Sequence, residues 1–74
     1  MNLRTLANVS KGEIFVLHNF SDENVAISMM ELGCIPPIKI QVLGWALGGC
    51  PLYVKANNTL LAIRLKDAQK MIGI

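Results

Sequence analysis

His18, Cys34 and Cys50 are the side chains best suited to chemistry, and their types name the options: proton transfer, thiolate attack, or ligation of a soft or borderline cation. Their spacing works against each. General acid and base catalysis needs a histidine or paired carboxylates in a pocket, whereas His18 is single and falls inside a predicted strand, where a structural role is expected. The two cysteines are isolated, with neither a C-x-x-C nor an H-x-x-x-H arrangement beside them, so no metal site is expected. A buried free cysteine commonly serves as a small hydrophobe. Arg64 and Arg4 are the candidates for a finger reaching into a partner's transition state, but Arg64 sits mid-strand and an arginine near a terminus is ordinarily just solvated. The expectation is a protein that is not an enzyme and holds no cofactor.

The side chains better suited to binding are apolar. Trp45 and Leu47 lie between Gly44 and the Gly48-Gly49 pair, and Tyr53 follows. Bulky amphipathic residues beside flexible glycines are the kind that anchor interfaces. Ile27, Met30 and Cys34 are second choices for the same role, and the competing reading of Trp45 is a plug at one end of the core. Composition points the same way. Hydrophobic residues make up 53% of the 74, with a mean hydropathy of +0.45. A domain near this size buries only about 60% of the surface its unfolded chain exposes, so some apolar surface stays wet; it suggests a docking face, the alternatives being a homodimer contact or an apolar composition that simply compensates for small size.

Net charge is +2, from seven basic and five acidic residues scattered along the chain, and no basic stripe advertises nucleic acid. The large aromatics Phe15, Phe20, Trp45 and Tyr53 have no lysine cluster beside them, unlike a single-strand-binding barrel. The longest apolar passage, 42–54, is interrupted by Gly44, Gly48, Gly49 and Pro51, so no membrane span or insertion is expected. The opening Met1-Asn2-Leu3-Arg4-Thr5-Leu6 lacks the apolar core and cleavage site of a secretory signal. A cytosolic location with reduced thiols is the expectation.

The elements that must position these residues form one domain, 1–74. Leu3 and Leu6 read as a short apolar anchor ahead of a polar stretch, and a first strand carries Ile14, Val16, His18 and Phe20 against Phe15 and Leu17, with both faces apolar enough to be covered. Ser21 is the expected helix cap, with Asp22 and Glu23 in the first turn and a helix over 22–32 burying Val25, Met29 and Leu32 while Ile27 stays off that stripe. Glu31, at the unfavourable end of the helix dipole, calls for a hydrogen-bonding or ionic partner. Gly33 closes the helix and Pro36-Pro37 forbid its continuation. Ile38, Ile40 and Val42 then alternate with Lys39 and Gln41 as a half-buried strand. Residues 44–49 read as a loop or strand break; Leu52, Val54 and Ala56 mark a third strand. Asn57-Asn58-Thr59 supplies turn chemistry that tolerates positive φ, and 60–65 returns as a hairpin. A helical turn over 66–70 and a last short strand with Met71, Ile72 and Ile74 complete the count. About five short strands with one helix between the first and second predict a mainly β fold, a small curled barrel.

Three passages in order resemble the FeoA family across the whole chain. Leu3, Leu6, Lys11, Gly12 and Glu13 resemble its opening apolar segment and turn; Met29-Met30-Glu31-Leu32-Gly33 with Pro36-Pro37 resembles its Leu-Met-Glu-Leu-Gly helix end and Pro-Gly turn; Leu61-Ala62-Ile63-Arg64, Asp67-Ala68 and Ile72-Gly73-Ile74 resemble its closing strand, turn and apolar pair. The chain departs from the pattern at Pro37, where glycine is usual, at Ile27 and Ser28, where basic residues are common, and at Cys50, ahead of Pro51. The resemblance implies an SH3-like barrel and a non-enzymatic regulatory role in bacterial ferrous iron uptake. It also implies docking on the cytosolic GTPase-bearing part of a membrane Fe(II) transporter. The alternatives are a nucleic-acid or repressor-type interaction module and a low-affinity metal-binding protein. Activation or inhibition of transport, the docking face, the nucleotide dependence and the role of Cys34 and Cys50 are left open by the residues.

Overall fold

In the computed structural model, which describes residues 2–74, the period-two pattern of the middle of the chain becomes its central strands. Strand β1 is Arg4–Thr5, followed by a 3-10 turn over Leu6–Asn8; β2 is Ile14–Phe20, helix α1 Glu23–Glu31, β3 Ile38–Trp45, β4 Leu52–Ala56 and β5 Thr59–Ile63. Helix α2 is Leu65–Ala68 and β6 is Met71–Gly73. All pairings are antiparallel, in the order β1-β6-β2-β3-β4-β5.

This corrects the expected barrel in three respects. The described residues form six strands rather than about five, and the helical turn expected over 66–70 is a second short helix, Leu65–Ala68. The long helix lies between β2 and β3, because β1 precedes them and two residues are too few to carry a readable alternation. The sheet is not closed by strand pairing, since its order ends at β1 on one side and β5 on the other.

Ile38, Ile40 and Val42 of β3 and Leu52, Val54 and Ala56 of β4 all face the core, as their alternation requires. Strand β2 behaves differently from expectation. Phe15 and Leu17 are buried, but Ile14 and His18 are exposed, so one face of the strand is covered rather than both. His18 is therefore a surface residue.

Helix α1 is capped by Asp22, not Ser21: its Oδ1 accepts from the Val25 N–H at 3.0 Å. Its other end is a Schellman motif. Gly33 takes φ +95°, its N–H donates to the Met30 carbonyl at 3.0 Å, and the Cys34 N–H donates to the Met29 carbonyl at 3.0 Å. That geometry folds the chain back over the last turn, so Met29 and Cys34 are buried while Leu32, expected on the buried stripe, is exposed.

Strand β6 is wedged between β1 and β2 and needs a glycine. A Cβ built on Gly73 overlaps the Val16 carbonyl oxygen and comes within 2.8 Å of Phe15 Cζ, so no other residue fits without moving backbone. Beyond it, Val16 and Ile74 exchange both main-chain hydrogen bonds, at 2.8 and 3.1 Å. Across the outer strand, Arg4 pairs with Glu13 at 3.5 Å and its guanidinium carbon lies 5.9 Å from the Phe15 ring centroid. Glu13 also accepts from the Ser10 N–H at 2.8 Å, and that bond, with the Arg4 charge, holds its carboxyl below the ordinary carboxylate value.

Candidate docking surface

The outer face of β3–β4–β5 is assembled by a single irregularity. Val42 pairs with Val54, but Gly44 pairs with Tyr53 and Trp45 with Leu52, so Leu43 is the extra residue of a bulge. Gly44 supports the bulge at φ +148°, a backbone conformation that side chains disfavour. One inserted residue reverses which way each later side chain points. Trp45, which strict alternation from Val42 would turn outward, is thus registered with the inward-facing Leu52, half-buried and packed against the core. Leu43 is left on the outside.

Around Leu43 the outer face is apolar. Tyr53 and Leu60 are 46% and 71% exposed, and between them Ala62, paired with Tyr53, supplies little bulk. The result is a hollow of about 410 Å³ lined by Leu43, Tyr53, Val54, Leu60, Leu61 and Ala62. Gln41, Lys39 and Lys55 are exposed along the same strands and give the hollow a polar surround. A second hollow, of about 300 Å³, lies against α1 and α2 and is polar, with Asp22, Asn24, Ser28, Arg64, Asp67 and Lys70 among its lining residues. Arg64 is engaged there with Asp67 at 3.5 Å.

The six residues singled out from the sequence fall in separate places. Tyr53 lines the apolar hollow; Leu47, fully exposed, projects from the loop before β4; Trp45 turns inward. Ile27 and Met30 are exposed on α1 at 51% and 41% and do not line the hollow. Cys34 is buried by the Schellman turn, so it is not a surface contact, and burial raises its thiol pKa. Leu43 and Leu60 were missed. Their signal was present in the adjacent apolar pairs Val42-Leu43 and Leu60-Leu61, since neighbouring residues of a strand cannot both face the core. Among the described residues no three of His, Cys, Asp or Glu are grouped to hold a metal ion, and no helix is long and apolar enough to cross a membrane.

A family model for the FeoA domain matches residues 4–73. The chain belongs to the FeoA family. No curated protein matches it. Among solved structures, FeoA from Chlorobium tepidum is 26% identical with a TM-score of 0.86, covering 96% of this chain and 70% of that one. FeoA from Stenotrophomonas maltophilia, complexed with zinc and described as a procaryotic SH3 domain protein, is 22% identical with a TM-score of 0.82 over 96% of this chain and 89% of that one. A manganese-dependent transcriptional repressor shares the fold at 15% identity and a TM-score of 0.85, covering 97% of this chain but 41% of the repressor. The fold of this FeoA-family chain is thus SH3-like and mainly β.

Proposed function

We propose that this chain is a non-catalytic accessory protein of bacterial ferrous iron uptake, acting in the cytosol by docking on the GTPase-bearing part of the Fe(II) transporter. The family match over 4–73 supports the iron-uptake setting. The Stenotrophomonas maltophilia relative is itself described as a candidate activating factor for ferrous iron transport. The observation that carries the docking half is the apolar hollow on the outer face of β3–β4–β5, where Leu43, Tyr53 and Leu60 leave wet surface that a partner would cover. Tyr53 is its anchor, because a tyrosine combines a large apolar ring with a polar tip. Leu47 on the loop before β4, and Ile27 and Met30 on α1, lie outside the hollow and offer separate, secondary contacts.

The test is an NMR titration of the isotopically labelled chain with the transporter's cytosolic portion, in GDP and in a GTP analogue. Shifts centred on Leu43, Tyr53 and Leu60 are expected, and a difference between nucleotides would mark docking as regulated. Shifts centred on α1 would move the docking face to Ile27 and Met30, and no shifts at saturating partner would overturn docking on that portion.

A further inference from the structure

We infer that β5 is an edge made for self-pairing, so that two copies of this chain join antiparallel along it into one continuous sheet. The inference rests on the backbone and is independent of the transporter docking proposed above. β5 pairs with β4 alone, and among the described residues no strand lies on its other side. Which of its groups face outward follows from the turn. Asn57 and Asn58 have φ +50° and +64° and link the paired residues Ala56 and Thr59, a two-residue type I′ hairpin whose closing pair is hydrogen-bonded. Antiparallel pairs alternate between bonded and non-bonded, so Leu61 and Ile63 also bond inward to β4. The N–H and C=O of Leu60 and Ala62 therefore point away from β4.

Those outward groups are self-complementary. An antiparallel copy centred on Leu61 sets Leu60 opposite the second copy's Ala62, and Ala62 opposite its Leu60, with both Leu61 residues meeting at the two-fold axis. Every outward group finds a partner in that register, as backbone geometry allows at an open antiparallel edge, so the sequence matters through what it places there to oppose or permit the pairing. Charge does not oppose it: Thr59-Leu60-Leu61-Ala62-Ile63 has no ionised residue, and the register brings Arg64 opposite Asn58 rather than another cation. Leu61, only half-buried at the open edge, is covered by its twin. The devices by which sheets usually blunt an edge, a proline, a lysine or a bulge, are all missing from β5.

Sedimentation velocity over a concentration series, with amide hydrogen exchange at Leu60 and Ala62, tests the pairing on the intact chain. The expected result is a weight-average mass rising from 8.1 kDa toward twice that value, with exchange at both amides slowing in step. Ala62→Pro removes an outward N–H without touching the bonds to β4 and should abolish the rise. Leu60→Lys, at a site already exposed, should weaken association while leaving the circular dichroism spectrum and urea midpoint unchanged, which separates lost pairing from lost folding. A chain that stays at 8.1 kDa at the highest concentration overturns the inference, as does a dimer that survives both variants. So does protection of Leu60 and Ala62 that appears only when the transporter's cytosolic portion is added, which would give the edge to another chain.

Discussion

The two ends of the sheet solve the edge problem in opposite ways. At one end β1 is two residues long, carries a charge at Arg4 that is tied to Glu13, and lies on β6, whose Gly73 brings backbone against backbone. At the other, β5 is five residues long and uncharged, and among the described residues no strand pairs with its outer side. Short length and charge discourage further pairing, whereas an apolar strand with open hydrogen-bonding groups invites it. The contrast teaches that this domain packs tightly where β6 is held and leaves β4–β5 as one of the places, with α1 and the turn after it, where apolar side chains stay exposed.

Gly73→Ala should give the largest effect. The added methyl meets the Val16 carbonyl, which is backbone and cannot rotate away, so a loss of about 3 kcal/mol is expected in urea unfolding, a large share of what holds a domain this small together. A variant as stable as the parent would break the comparison at its tight end. Next comes Trp45→Ala. If the bulge turns Trp45 inward, removing the indole costs about 2 kcal/mol by the same measurement. Unchanged stability with lost binding to the transporter would instead return Trp45 to the surface. Asn58→Ala should cost about 1 kcal/mol, because the new residue must hold φ +64° without a side chain suited to it, while Asn58→Gly should be neutral or slightly stabilising. Equal effects of the two substitutions would argue against the type I′ turn.

The smallest effect sharpens the tight end through pH. The folded state lowers the Glu13 carboxyl pKa, so its contribution to stability is complete above the ordinary carboxylate range and disappears as pH falls through the lowered value. Urea midpoints of the parent and Glu13→Gln should therefore differ at neutral pH and converge in acid. A gap that widens in acid would reverse the assigned sign.

Much of the fold was legible where one periodicity dominated. The alternation around Ile38, Ile40 and Val42 and around Leu52, Val54 and Ala56 announced the central strands, and Gly33 with Pro36-Pro37 announced the helix stop. Asn57-Asn58 carried its own turn chemistry. What escaped depended on tertiary partners. Strand β1 exists only because β6 lies beside it, and Ser21 and Asp22 are both competent caps that differ only in where the chain turns. The surface was harder. Tyr53 alternates outward from Leu52 and Val54 and could be placed, but Trp45 could not, because Gly44 marks a break in the strand without saying which residue bulges, and pairing with β4 decides that. Cys34, expected as a second-choice surface contact, fails that role for a related reason: its burial follows from the Schellman hydrogen bonds, which place it against the helix it has just left.

The wedging of β6 between β1 and β2 has a consequence for synthesis. A ribosome delivers Arg4–Thr5 ahead of the other five strands, yet that strand has no neighbour until Met71–Gly73 has left the exit tunnel. Strands β2 to β5 can zip up in order as they emerge, each against the one before, while the amino-terminal segment waits unpaired. The first strand made is thus among the last to be placed, and until Met71–Gly73 is free of the tunnel both flanks of the sheet stay open to chaperones and to other chains.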